Sequence, residues 1–123
     1  MAQNSWKVCF DKKTLLSTAE EDDVKNLIKV AASDLTKHKS VVVKYLETEP
    51  QKDWERTITA YDENDEELSK QAGNKFSLSS AILKKLLHSS RAIRIYTVSL
   101  PTDPNVAAQI RVRRVHLCTL VLQ

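Results

Sequence analysis

Glycine is nearly missing from this chain of 123 residues: there is one, Gly73. An average composition, about 7% glycine, would supply roughly nine. Loops that cradle phosphate need glycines so that backbone N–H groups can reach the ligand. A P-loop, a GxGxxG turn and a GxSxG elbow are all absent. The absence disfavours the major nucleotide-binding architectures that rely on those loops. Cysteine is scarce too. Cys9 and Cys118 lie too far apart for a CxxC motif, and each sits in an apolar, strand-like run. Both read as buried free thiols of a reducing compartment. No apolar run reaches the roughly 18 residues that a membrane helix needs. The opening, MAQNSWKVCF, has no apolar h-region of a secretory signal. A cytoplasmic protein with no membrane partner is expected. With 41% hydrophobic and 28% charged residues, the composition suits one globular domain over residues 1–123, long enough to bury a real core.

What is present is charge, unevenly placed. Five of the six arginines, Arg91, Arg94, Arg111, Arg113 and Arg114, lie in the last third of the chain. Residues 84–123 carry seven basic residues and one acid, a net of +6; residues 1–83 carry a net of −3. The total of +3 hides that split. Arginine suits places where a planar, multi-donor cation meets phosphate, carboxylate or an aromatic face.

Trp6 to Phe10 alternates, with Trp6, Val8 and Phe10 on one face, and reads as a strand. Ser17-Thr18-Ala19-Glu20 has the pattern of a capping box. Acids follow it, and Lys37, His38 and Lys39 come later, so both ends suit a helix macrodipole. With Val24, Leu27, Ile28, Ala31 and Leu35 at helical spacing, a helix is predicted over 18–37. Val41 to Leu46 predicts a central strand, and Trp54 to Tyr61 its hairpin partner. Asn64 or Asp65 could start a short helix that Gly73 ends in the left-handed conformation. Ser77 or Ser79 can cap a second main helix running to about Ser89. Strands are expected at 92–100 and 110–122, with one helical turn begun by Asp103-Pro104 between them. The order predicts an α+β fold: a five-stranded, mostly antiparallel sheet with two main helices on one face, ending in a long C-terminal β-hairpin. The first strand–helix–strand unit would be a right-handed crossover.

Both final strands break their alternation. Ile93 and Ile95 point one way and Val98 and Leu100 the other; Ile110 and Val112 oppose Val115 and Leu117 in the same manner. A period-two strand changes its apolar face only through a bulge, a strong twist or a change of cover. Pairing about residue 105 would set Ile93 opposite Leu117 and Val98 opposite Val112. That register gathers Arg94, Tyr96, Arg114 and His116 on one face, and places Arg111 and Arg113 on the other. Guanidinium forks suit phosphate oxygens, and Tyr96 offers a stacking face for a base. Lys84 and Lys85 could extend the positive field. The apolar quartet Val98, Leu100, Ile110 and Val112 would either be exposed on a projecting hairpin, a surface suited to a homodimer, or pack through a bulge on the domain's own helices.

The bland reading is that these arginines solvate a surface or pair with the acidic part of the chain. No cofactor or metal motif and no catalytic motif accompanies them. His38 and His88 suit helix C-termini. His116 and Cys118 alone make neither a ligand set nor an activated nucleophile. The expected function is therefore a non-enzymatic binding module for an anionic partner such as nucleic acid. Its alternative is a protein-interaction or homo-oligomerisation module, and a small Cys/His enzyme stands third.

Overall fold

The computed structural model describes residues 3–123. In chain order these form β1 (Ser5–Phe10), β2 (Lys13–Thr18), β3 (Leu27–Val30), α1 (Ala32–Lys37), β4 (Ser40–Leu46) and β5 (Trp54–Tyr61). Then come β6 (Glu67–Ala72), β7 (Lys75–Ser79), α2 (Ser80–Ser89), β8 (Ile93–Pro101), α3 (Pro104–Gln109) and β9 (Val115–Leu122). The fold is mixed α and β, but it holds two sheets rather than one. The four-stranded sheet has the order β2-β1-β4-β7, and the five-stranded sheet β3-β9-β8-β5-β6. The latter is mixed, because β3 runs parallel to β9 while its other neighbours are antiparallel. No helix among the described residues is long and apolar enough to cross a membrane.

Alternation explains how the sheets face each other. Trp6, Val8 and Phe10, with Val41, Val43, Phe76 and Leu78, bury one face of the four-stranded sheet. Ile28, Val30, Ile58, Ala60, Ile93, Ile95, Leu117 and Leu120 bury the inner face of the other. Leu83 and Leu87 of α2 complete one continuous core. Each large apolar side chain hidden there contributes about 1.5–3 kcal/mol relative to exposure. The indole N–H of Trp6 crosses between sheets to donate to the Leu117 carbonyl at 2.8 Å. That bond answers a buried acceptor that would otherwise cost about 1–3 kcal/mol.

The helix predicted over 18–37 shrinks to α1. Thr18 belongs to β2, and Leu27 to Val30 form a strand. Ile28 and Val30 are buried while Leu27 and Lys29 are exposed, a period of two within the residues that also satisfy a period near four. Pairing with β9, Ile28 beside Leu120 and Val30 beside Leu122, decides between them, as tertiary context overrides local preference. The capping box does not form. Thr18 and Glu20 bond each other, and the Asp22 carboxylate accepts from the Val24 and Lys25 N–H groups in a tight turn. Val24 is left 82% exposed.

The expected hairpin of β4 with β5 is absent, because the two strands lie in different sheets. β4 sits between β1 and β7, and β5 between β8 and β6. The crossover is also corrected, since β1 and β4 are antiparallel neighbours. The short helix before Gly73 is instead β6. Gly73 does adopt φ +105°, a conformation that glycine accepts without strain, but it ends a strand. Its N–H donates to the Arg56 carbonyl at 2.7 Å, while the Asn74 carbonyl accepts from the Tyr45 N–H at 2.7 Å. This turn carries the chain from one sheet to the other. Beyond it, the edge of β7 is occupied: the Gln71 side-chain amide donates to the Ser77 carbonyl at 2.8 Å and accepts from the Ser77 N–H at 3.0 Å.

The second main helix is α2, and Ser79 caps it by accepting from the Ile82 N–H at 3.2 Å. Asp103 caps α3 in the same way, with Pro104 at its first position.

The long C-terminal hairpin is shorter than predicted and shifted in register. Ile93 faces Leu120, Ile95 faces Cys118, Tyr96 faces His116 and Thr97 faces Val115. β9 begins only at Val115, so Ile110 and Val112 precede the strand. Val98 and Leu100 pair with Thr57 and Glu55 of β5. The break in β9 is a β-bulge between the Ile95 and Tyr96 levels, which lets Leu117 and Cys118 both turn inward. No bulge is needed in β8, where Val98 and Leu100 lie on the outer face.

Candidate functional site

The five-stranded sheet turns its second face away from the core. On β5, Ile58 and Ala60 are buried inward, so Thr57, Thr59 and Tyr61 point out. Register places Arg94 beside Tyr61 and Tyr96 beside Thr59. It also places His116 beside Tyr96 and Thr119 beside Arg94. The bulge puts His116 and Thr119 on one side although they are three residues apart, and the His116 Nε2 lies 2.8 Å from the Thr119 hydroxyl.

Four of the predicted residues therefore meet: Arg94, Tyr96, Arg114 and His116. The Arg114 guanidinium lies 4.0 Å from the Tyr96 ring centroid and 4.9 Å from that of Tyr61. Arg94 approaches the Tyr96 ring at 5.7 Å. Tyr61 meets Tyr96 edge to face at 5.7 Å, and His116 is tilted against it at 5.3 Å. Guanidinium over an aromatic face is attractive, by about 0.5–1 kcal/mol where water reaches it. The consequence for Tyr96 is burial: it is 8% exposed. Its ring carries arginines rather than offering an open face to a base.

The acidic part of the chain folds onto the same region. Arg114 Nη2 pairs with Asp65 Oδ1 at 2.8 Å. Arg113 holds Glu21 with both forks, at 3.0 and 2.7 Å, and Glu21 also accepts from the His116 N–H at 2.8 Å. The Arg113 hydrogen bonds keep the Glu21 carboxyl below its ordinary pKa. Arg113 thus ties residues 19–26 to the start of β9. His116 Nδ1 has no hydrogen-bond partner, though Asp23 Oδ1 stands 3.5 Å away. Burial lowers the pKa of this imidazole; Asp23 opposes that shift and Arg94 adds to it. Arg94 forms no ion pair with a described residue.

Other predicted residues fall elsewhere. Arg111 is exposed in the segment before β9. Lys84 and Lys85 are exposed on α2, which packs against α1, β4 and β7, on the side of the other sheet. In the apolar quartet, Leu100 and Val112 are exposed, and Val98 and Ile110 are half-buried. They do not form a projecting hairpin, and α3 packs along β8. Cys9 and Cys118 are buried free thiols in separate sheets. Burial pushes the Cys118 thiol up to about 12, so a nucleophilic thiolate does not form near neutral pH. Among the described residues, no three His, Cys, Asp or Glu side chains gather as a metal site.

Sequence reasoning missed Tyr61, Asp65 and Glu21. Tyr61 had a signal, since the parity of β5 turns it outward with Thr57 and Thr59. The two acids had none, because turns placed far away in sequence bring them in. Also missed is Arg56, the arginine outside the cluster. Its Nε donates to Glu47 Oε1 at 2.7 Å, its Nη1 to the Thr97 hydroxyl at 3.0 Å, and its plane lies 4.2 Å over the Tyr45 ring. No family model, no curated protein and no solved structure matches the chain, so its function must be read from its own geometry.

Proposed function

We propose that the protein is a small non-enzymatic binding module that holds an anionic partner on the outer face of its five-stranded sheet. One observation carries this reading: Arg94 and Arg114 converge on a single buried ring, that of Tyr96. Stacking fixes the plane of a guanidinium and leaves its N–H edge free to donate. Arg94 has no ionic partner among the described residues. Arg114 shares its charge with Asp65 in a pair with side chains 38% and 53% exposed. Exposed pairs are worth at most about 1 kcal/mol, so a phosphate group can compete for that arginine. With Tyr96 covered, phosphate is the recognised group rather than a base, and binding to nucleic acid is insensitive to sequence.

Retention on heparin and on mixed oligonucleotides at low salt tests the reading. Wild type is retained, and affinity falls steeply as salt rises. Arg94→Ala weakens binding and flattens the salt slope by about one unit. Failure of the wild-type protein to be retained overturns the proposal. A second reading, a protein-interaction surface or homodimer, draws on the exposure of Leu100 and Val112. It predicts association that Leu100→Asp abolishes and Arg94→Ala leaves intact.

A further inference from the structure

A large cleft lies at one end of the sandwich, away from the outer-face arginines. It measures about 420 Å³, and its walls include Glu47, Gln51, Trp54, Arg56, Gly73 and Asn74. A neighbouring hollow of about 230 Å³ shares Glu47, Gln51, Trp54 and Arg56 with it. Both sheets contribute. One wall is the segment joining β4 to β5, and the other is the turn at Gly73. Each is held. Asn4 Oδ1 accepts from the Thr48 N–H and hydroxyl at 3.0 and 3.3 Å. The Asp53 carbonyl accepts from the Thr102 N–H and hydroxyl at 2.8 and 3.1 Å, which fixes the start of β5 and with it Trp54. At Gly73 a Cβ would meet nothing within 4 Å, so the cleft is open over that turn.

The floor carries the Arg56–Glu47 pair. The side chains are 11% and 15% exposed. Arg56 uses Nε on Glu47 and Nη1 on Thr97. Its Nη2, and Glu47 Oε2, bond no described residue, yet neither is sealed from solvent, since among the described residues the one sealed and unpartnered side-chain atom is in His116. Arg56 and Glu47 therefore present a free donor edge and a free acceptor side by side, fixed by stacking on Tyr45. A pre-placed pair of this kind loses little freedom when a ligand arrives.

Charge selects the ligand. Three carboxylates, Glu47, Glu49 and Glu55, surround one guanidinium, which disfavours an anion. The unpaired guanidinium edge disfavours a cation. A neutral group that donates and accepts at adjacent atoms satisfies both halves of the pair, as vicinal hydroxyls do. Trp54, half-buried at the wall, offers an apolar indole face to the C–H face of a sugar ring. The exposed amides of Gln51 and Asn74 can each donate and accept. We infer that this cleft is a binding site for a neutral saccharide. Its ring stacks on Trp54, and two adjacent hydroxyls bond Arg56 Nη2 and Glu47 Oε2.

Amide NMR titration of the whole labelled chain tests this. The probes are a panel of neutral mono- and disaccharides up to roughly 50 mM, a range that detects the millimolar affinity of a small site. Inorganic phosphate and choline chloride serve as charged controls. At least one sugar gives saturable shifts confined to residues 47–56 and 72–74. Trp54→Ala weakens that binding by about tenfold, equivalent to about 1.4 kcal/mol, with core amides such as those of Val8 and Ile95 unmoved. Should Trp54→Ala fail to fold, Gln51→Ala, at an exposed position, gives about a threefold loss, since one polar contact to a ligand commonly contributes about 0.5–1.5 kcal/mol. The assignment is overturned if no sugar shifts these amides. It is equally overturned if choline or phosphate shifts them instead, or if the folded variant binds as tightly as wild type.

Discussion

The molecule uses the same three-part arrangement twice, at opposite degrees of burial. Arg56 lies 4.2 Å over Tyr45 and pairs with Glu47 at 2.7 Å; Arg114 lies 4.0 Å over Tyr96 and pairs with Asp65 at 2.8 Å. The geometry is nearly identical, but water is not. In the first pair both side chains are mostly covered; in the second they are about a third and a half open. A buried ion pair has given up hydration, so each partner depends on the other. An exposed pair has not, and either partner can be exchanged. The first arrangement therefore builds a rigid floor, and the second leaves a cation open to competition.

Removing one carboxylate at a time breaks this comparison most directly. Glu47→Ala leaves the Arg56 charge without its partner and lowers stability by about 3 kcal/mol, read from urea unfolding. A change below about 1 kcal/mol would show that water reaches the pair freely. Acid acts more weakly, through His116 beside the exposed stack. Burial lowers its folded pKa below the ordinary 6.5. The folded state then holds fewer protons than the unfolded chain, and stability falls as pH drops from the unfolded pKa toward the folded one. Between about pH 7.5 and about 5.5, wild type loses stability that His116→Gln retains; parallel curves for the two proteins contradict the assignment. The smallest effect on stability belongs to Asp65→Asn, within about 0.5 kcal/mol, because asparagine keeps the left-handed φ of 65° at that turn. Its effect on binding has the opposite sign to that of Arg94→Ala: freeing Arg114 moves heparin elution to higher salt. Unchanged elution means that Asp65 does not compete with the anion.

Single strands with strict alternation were legible in the sequence. Trp6, Val8 and Phe10 share a buried face as expected, α2 starts at Ser79, one of the two serines offered as its cap, and α3 starts at Asp103. The gathering of Arg94, Tyr96, Arg114 and His116 was also foreseen, although from a register that the structure replaces. The shift of register was large enough to leave Val98 and Leu100 paired with β5 yet small enough to keep the base of β8 and β9 together. What was not legible depended on distant partners. The residues of β3 satisfy both periods, and only β9 decides between them. β4 and β5 each read correctly as strands, but no local signal says that adjacent strands part into separate sheets. The neutralising acids Glu21 and Asp65 lie on turns, where position follows from the fold and not from a pattern.

The side chain of Gln71 has a consequence for growth. An array that extends by strand pairing needs two vacant flanks on every unit, one to receive and one to offer. In the four-stranded sheet, the outer side of β2 pairs with no strand among the described residues, but the middle of the β7 flank is filled by an amide that imitates a peptide bond at Ser77. A second copy arriving at β2 leaves no further flank of this sheet for a third. One glutamine thus stands in the way of open-ended growth through that sheet.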